Sequence, residues 1–300
     1  MRGPRFARLS YALLFVAAAV FLPPLMHIAI ADAQDDEIQK EKDERRKRKE
    51  RYANWMRDFS KDTTIRVKMA GENEEQTAQL MATPIIRYST LTIADDATVW
   101  AWTQAGRPVA VHKVEVNNYG GGRQWTICFA SLSEGLVTAR WPVGRQYAAK
   151  QPGLKYRPIP GAEAPGNSAK ARTAQMKALK ARFTGRVAPG NVDNKEATEM
   201  KTATTPLYQY VDEESKLPLG AIYSMIDEKG DLNPGILLLL EVRPDEEGKL
   251  RWEYAGARLG MGQMLLRLDD AEIWRSDAVT NVRDQVHDNW TFYFTPRDFE

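Results

Sequence analysis

Cysteine is nearly absent from this chain of 300 residues, which contains Cys128 alone. A single cysteine cannot form an internal disulfide, so the folded chain must be stabilised by its buried core. Histidine is almost as scarce, with three residues in total. The closely spaced His and Cys ligands of zinc sites, including the H-E-x-x-H pattern, are missing. We therefore expect no metal site, no cofactor and no catalytic residue of these types.

The N-terminus has the parts of a secretory signal peptide. Arginines near the start precede an apolar run from Tyr11 to Phe21, and Ala31-Asp32-Ala33 is a small-x-small cleavage sequence. This pattern predicts cleavage before Gln34 and export to the periplasm or beyond the cell. A retained anchor is the alternative, because apolar residues continue to Ile30, but prolines interrupt that run.

An excess of charge of one sign is also lacking. Removal of residues 1–33 takes away three of the 42 basic residues and one of the 40 acidic ones, which leaves 39 of each. A balanced chain indicates no nucleic-acid partner, and the membrane is contacted only through the leader before cleavage. The hydrophobic content of 43% and charged content of 27% are those of a globular protein.

An internal repeat is the strongest pattern in the sequence. The stretch from Trp125 to Ser133 shares its Trp, Ala and Leu, in register, with the stretch from Trp252 to Gly260. Further matches, in the same order, are Thr83–Tyr88 with Thr205–Tyr210, Glu115-Val116 with Glu241-Val242, and Gly135 and Arg140 with Gly262 and Arg267. Chance is the competing explanation. The long period favours two domains of one fold over an array of short repeats.

Each copy has a helical pattern followed by short β-rich runs. Tyr52, Met56 and Phe59 recur at helical spacing, and Met176 and Leu179 do so in the second copy. We therefore predict an α+β protein with two tandem copies of a helix packed on an antiparallel meander sheet. The predicted parts are a signal peptide (1–33), a charged helical linker (34–51), a first α+β repeat (52–150), a Pro-rich linker (151–168), and a second repeat with an aromatic C-terminal tail (169–300).

Two segments of the second copy lead to further predictions. The run from Ile236 to Leu240 is apolar throughout, which predicts a central strand covered on both faces. The C-terminal tail is rich in aromatic residues, and we expect it to add a strand or to pack on the second repeat. The oligomeric state and the relative orientation of the repeats stay open.

Cys128 could act as a nucleophile, but the repeat argues otherwise. It aligns with Ala255, and its face of the strand carries the small residues Thr126 and Ala130. We expect a buried small residue on a face that a helix approaches closely.

Trp100, Trp102, His112 and Lys113 form the candidate binding site. The two tryptophans lie two residues apart in a strand, so both indoles point to one face. His112 and Lys113 align with Leu238 and Leu239, which suggests that the first sheet is less covered than the second. An exposed aromatic platform beside a cation suits stacking on a polar or anionic glycan. The alternative is that the two tryptophans pack in the core, that Lys113 extends along the surface to reach solvent, and that His112 is a hydrogen-bonded residue at the sheet edge.

Several phrases resemble those of secreted tandem-repeat proteins of planctomycete type. They are Thr205–Tyr210, Gly220–Tyr223, Ile236–Glu241, the strand at Trp252, and the Pro-rich segment Tyr156–Gly161. No activity is known for that group, so the resemblance implies export and a repeated fold but no catalytic residue.

The sequence therefore predicts an exported, non-catalytic protein that binds a glycan or envelope component, or that serves as a structural part of the cell envelope. The alternative is a hydrolase with Asp/Glu or Ser chemistry in a cleft between the two repeats, since paired carboxylates leave no motif.

Cleavage of the predicted signal peptide can be tested directly. Protein purified from its native host should begin at Gln34, because the small-x-small sequence directs cleavage there. Intact-mass measurement checks this, and a mass that includes residues 1–33 would contradict it.

Overall fold

The computed structural model describes residues 24–90, 94–119, 122–142, 144–212, 215–228, 233–279 and 290–295. The chain divides into two compact units, residues 1–51 and residues 52–300. Most of the predicted signal peptide, residues 1–23, and most of the aromatic tail lie outside the described residues. Within the described ranges, no helix is both long and apolar enough to cross a membrane.

The protein is mostly β. Strands contain 47% of the residues and helices 16%, against about a third helix in an average globular domain. The prediction of an α+β fold with tandem helices on meander sheets is therefore wrong. Stretches that lacked a clear pattern, such as 183–188 and 198–202, form further strands. These strands extend the predicted meanders into large curled antiparallel sheets around only two helices in the described residues.

Among the described residues, the first half of the chain has one long helix and nine strands. They are α1 (Pro24–Lys61), β1 (Thr64–Lys68), β2 (Gln76–Thr77), β3 (Gln79–Leu80), β4 (Ile86–Tyr88), β5 (Ala94–Gln104), β6 (Arg107–Tyr119), β7 (Gly122–Ser131), β8 (Leu136–Arg140) and β9 (Gln146–Ala148).

The described part of the second half has a shorter helix and ten strands. They are β10 (Arg157–Pro158), α2 (Ala169–Lys180), β11 (Phe183–Ala188), β12 (Thr198–Thr202), β13 (Tyr208–Val211), β14 (Pro218–Ile226), β15 (Ile236–Pro244), β16 (Leu250–Arg258), β17 (Gln263–Leu268), β18 (Ala271–Ser276) and β19 (Trp290–Thr295).

The two halves pair their strands in the same order. The second half forms one sheet in the order β10-β16-β15-β14-β12-β11-β17-β18, with β13 on β14. The strands of the first half, joined by β19 from the C-terminal tail, follow the same path in two sheets, β2-β1-β8-β9 and β19-β7-β6-β5-β3, with β4 on β5. Trp125 and Trp252 lie on the corresponding strands β7 and β16. The common origin of the halves stays a prediction, whereas the shared strand order is a property of the structure.

In each half of the molecule, the curled sheet packs around a helix. Tyr52, Met56 and Phe59 are buried against Trp125 and other residues of the first half, as their helical spacing predicts. In the second half, Met176 and Leu179 of α2 enter the corresponding core. The hydroxyl of Ser168 caps this helix by accepting a hydrogen bond from the Ala171 amide, 3.2 Å away.

The opposite faces of the sheets pack against each other. Val99, Val111 and Cys128 of the first half share one buried cluster with Leu237 and Leu239 of the second. Ile236, Leu238 and Leu240 point the other way, into the core around α2, and all five residues of this run are fully buried. The prediction of a central strand covered on both faces is confirmed.

Small side chains make this approach possible. Cys128 and Ala130 of β7 and Ala255 and Ala257 of β16 all belong to the cluster between the sheets. The predicted close approach exists, but the partner is the second sheet and not a helix.

Buried Tyr–Glu pairs lie at both ends of the packed faces. The Tyr88 hydroxyl donates to Glu115 Oε1 at 2.5 Å, and the Tyr210 hydroxyl donates to Glu241 Oε2 at 2.5 Å. These residues correspond in the repeat. Each pair also receives a group from the other half. For the first pair this group is Asn233, whose Oδ1 accepts a 2.8 Å hydrogen bond from Lys113 Nζ, which in turn lies 3.5 Å from Glu115. For the second pair it is Arg107, which forms a 3.1 Å ion pair with Glu241.

Residues 151–168, predicted as a linker, are bound to the second sheet. Strand β10 pairs with β16, and Leu154 and Ile159 are buried. The Tyr156 hydroxyl donates to Glu241 Oε2 at 3.1 Å. Strand β19 of the tail pairs with β7 in the first half, and not with a strand of the second repeat.

Burial between the sheets determines the chemistry of Cys128. Loss of solvent raises the pKa of its thiol to about 12, so the reactive thiolate is scarce at neutral pH. Native protein should resist thiol reagents at pH 8, and denatured protein should be labelled at once. Replacement by alanine, the residue at position 255, should cost about 1 kcal/mol or less of unfolding free energy. Rapid labelling of the native protein would contradict this assignment.

Candidate functional site

The four residues of the predicted glycan platform are all buried. Trp100 and Trp102 are 3% and 1% exposed, and His112 and Lys113 are 0% and 4% exposed. The prediction of an open surface at these residues is wrong. One face of their sheet surrounds α1 and the other packs on the second half, so neither face meets solvent.

The structure brings three of these residues together and separates the fourth. Trp100 lies opposite His112 in the register of β5 and β6, and the rings of Trp102 and His112 are 4.6 Å apart at an 82° angle. Lys113 points to the other face of β6, toward Asn233 and Glu115. The group is therefore core packing, and no single ligand could contact all four side chains.

His112 is a neutral core residue. Its Nε2 lies 2.7 Å from Ser60 Oγ, and that hydroxyl donates to the Met56 carbonyl at 2.7 Å. With the single hydroxyl hydrogen directed at the Met56 carbonyl, the consistent tautomer carries its proton on Nε2 and donates to Ser60. Within the described part of the chain, Nδ1 has no hydrogen-bond partner. Burial lowers the pKa of His112 to about 3.

A polar groove lies on the outer face of the sheet formed by β2, β1, β8 and β9. Its volume is about 470 Å³. The lining residues come from three neighbouring strands and are Thr64, Arg66, Thr138, Ala139, Arg140, Gln146, Tyr147 and Ala148.

Strict alternation along the strands produces this lining. On β1, Ile65 and Val67 point into the core while Thr64 and Arg66 point outward. In the register of β1 and β8, Thr64 lies opposite Arg140, and Arg66 lies opposite Thr138. The two guanidinium groups are thus diagonal neighbours on one face, with a hydroxyl beside each.

The same arginine positions occur on the second half, but there they face acids. Arg186 of β11 lies opposite Glu199, with a 2.6 Å ion pair, and Arg267 of β17 lies opposite Glu272. In the first half, Thr77 stands opposite Arg66, and Gln146 stands opposite Arg140.

Few carboxylates compensate the arginines of the groove. The carboxylate paired with Arg66 is that of Glu75, at 3.9 Å, and both side chains are exposed. Among the described residues, Arg140 has no ion-pair partner. The groove is therefore a local excess of positive charge on a chain whose net charge is only +2.

In the second half, a loop covers the sheet face that corresponds to the groove. In the first half, that face is open. Val192 and Ala197 pack with Ala188 on Leu265, which occupies the register position of Thr138. The Val192 amide donates to Gln263 Oε1 at 2.8 Å and fixes the loop. The first half has a half-buried threonine in place of Leu265, and the groove remains accessible.

The groove presents guanidinium, hydroxyl and amide groups. Guanidinium groups bind carboxylate, sulfate or phosphate through two parallel hydrogen bonds, and hydroxyl and amide groups hydrogen-bond to sugars. The lining contains no carboxylate, imidazole or thiol that could act as a base or nucleophile. Over the described ranges, no cluster of three or more His, Cys, Asp or Glu residues could hold a metal ion.

Sequence reasoning missed the groove although part of the signal was visible. Arg140 and Arg267 are matched in the repeat, and the Thr-x-Arg spacing of Thr64 and Arg66 recurs at Thr184 and Arg186. The decisive difference lies in the residues opposite these arginines, and only the strand register shows which residues those are.

Comparison of the chain with protein-family models, with curated proteins and with solved structures finds no match. The contrast between the two halves of this chain is therefore the most direct guide to the role of the groove.

The buried imidazole generates a pH prediction. Because the folded-state pKa of His112 is depressed, its contribution to stability is present above the unfolded pKa of about 6.5 and is lost toward pH 3. Between pH 7 and pH 5 this should remove about 2 kcal/mol of unfolding free energy. His112→Gln keeps a donor for Ser60 but cannot titrate, so its stability should fall less over that range. Denaturant unfolding at both pH values checks this, and equal losses would refute it.

Proposed function

We propose that this protein is an exported, non-catalytic component of the cell envelope that binds an acidic glycan in the groove. The pair of Arg66 and Arg140 carries this proposal, because Arg66 has one distant carboxylate partner, Glu75 at 3.9 Å, and Arg140 has none among the described residues. The second half keeps arginines at the same positions but places Glu199 and Glu272 opposite them, so the first half alone offers an open cationic face.

The spacing of the groove suits a carboxylated sugar chain. Diagonal neighbours on adjacent antiparallel strands lie about 7–8 Å apart, so Arg66 and Arg140 can each hold a carboxylate on the same chain. Thr64, Thr138 and Gln146 supply hydrogen bonds for sugar hydroxyls. The arginines are exposed, so binding rests on several weak contacts that salt screens.

The rival proposal of a hydrolase between the repeats receives less support. Glu115 and Glu241, at opposite ends of the packed sheets, are 5% and 2% exposed, and each is bound by a tyrosine hydroxyl. Ser131 lines a small cavity at the edge of the packed sheets, but the lining residues include no His, Asp, Glu or Lys to act as its base. A serine without a base is a poor nucleophile.

The binding test uses the mature chain, polygalacturonate as the acidic glycan and dextran as a neutral one. Arg66→Ala and Arg140→Ala should each weaken polygalacturonate binding about tenfold, the effect of losing about 1.4 kcal/mol of charge-assisted hydrogen bonding. Calorimetry at low salt measures the affinities. Thermal midpoints should not change, because both arginines are exposed.

Arg267→Ala is the matched control, because it removes a guanidinium from the equivalent position of the second half. It should leave binding unchanged. Equal binding of dextran and polygalacturonate, or an equal effect of all three substitutions, would overturn the assignment of the groove.

A further inference from the structure

A second cavity, of about 120 Å³, lies where the two halves meet. Strand β7, Gly153, strands β16 and β18, and Trp290 all contribute to its wall. The lining residues are Ala130, Ser131, Gly153, Ala257, Arg258, Trp274, Arg275, Ser276 and Trp290.

Arg258 brings a buried charge to this cavity. The residue is 5% exposed, and its guanidinium carbon lies 4.0 Å from the centre of the Trp290 ring. All of its hydrogen bonds go to uncharged oxygens. They run to the carbonyls of Gly260, Gly262 and Asp277 and to Ser276 Oγ, at 2.6–3.1 Å.

No carboxylate of the described chain forms an ion pair with Arg258. The nearby Asp277 side chain accepts a 3.2 Å hydrogen bond from Gln263 instead. Burial lowers the pKa of Arg258 to about 10, which still leaves it protonated at neutral pH. The charge of Asp277 acts on Arg258 without an ion pair, and a buried cation without an ion-pair partner is costly. Arg275, on the same wall, is already paired with Asp193 and Glu272.

Ser131 supplies an independent observation. It is 1% exposed, and over the described residues its hydroxyl has no hydrogen-bond partner. The neighbouring wall is formed by Gly153, where a Cβ would lie 2.2 Å from the Ser131 carbonyl oxygen and 2.4 Å from Oγ. Only glycine allows the chain to pass this close. A buried donor with no partner among the described residues therefore lies on the same cavity wall as a buried cation that forms no ion pair with them.

We infer that this cavity binds a small oxoanion, a carboxylate, sulfate or phosphate, which neutralises Arg258 and accepts a hydrogen bond from Ser131. The volume corresponds to about four water molecules at roughly 30 Å³ each, which suits a small anion rather than a polymer. This site is separate from the groove and does not depend on the proposed function.

The test titrates the mature chain with sodium acetate, sulfate and phosphate in turn, at constant ionic strength, by calorimetry and tryptophan fluorescence. Trp274 and Trp290 line the cavity, so saturable binding should change the emission. One anion class should bind best and thereby identify the ligand. Saturation by none of the three would overturn the inference.

Ser131→Ala separates a ligand contact from a structural role. Loss of an unpartnered hydroxyl should leave the thermal midpoint in anion-free buffer unchanged or higher, yet reduce anion affinity about tenfold. Ser133→Ala is the control, because its hydroxyl already accepts from the Gly135 amide and does not line the cavity. Equal affinity of the parent and Ser131→Ala would contradict the site.

A crystallographic measurement decides the question if Ser131→Ala does not fold. Selenate soaked into crystals of the parent should give an anomalous peak beside Ser131 Oγ and Arg258. A peak only elsewhere, or none, would refute the inference.

Discussion

The packing of β5, β6 and β7 against β14, β15 and β16 is the constraint on which the rest of this structure depends. Small residues such as Cys128 and Ala255 allow the two sheets to approach, and leucines of β15 fill the space between them. With one face covered in this way, each sheet curls its other face around a helix. Trp100 and His112 are buried as a result, whereas the outer face of β1, β8 and β9 carries polar side chains.

Buried polar groups lie at both ends of this apolar packing. The Tyr88–Glu115 and Tyr210–Glu241 pairs occupy corresponding positions, and each receives a side chain from the opposite half. A buried carboxylate that lost its partners would be strongly destabilising. A shift of one sheet along the other would break both sets of contacts, so these pairs fix how the sheets align.

The local pattern of apolar and polar residues predicted individual strands better than it predicted the fold class. The run Ile236–Leu240 is apolar at every position, which is sufficient to predict a strand covered on both faces, and the structure confirms it. The polar character of His112 suggested a surface, but its partner Ser60 lies 52 residues away and could not be found from sequence. The groove depends on which residues face Arg66 and Arg140 across strands, and that register is a tertiary property.

The second half also supplies the most direct test of the groove, since it places an acid opposite each of the corresponding arginines and pairs Arg186 with Glu199. Thr77→Glu combined with Gln146→Glu places acids opposite Arg66 and Arg140, as Glu199 and Glu272 stand opposite their counterparts. Both changes are at exposed positions, so the thermal midpoint should be retained. The affinity of this double variant for polygalacturonate at low salt is the decisive measurement. Loss of binding with an unchanged fold is the predicted result, and binding equal to that of the parent would contradict the account.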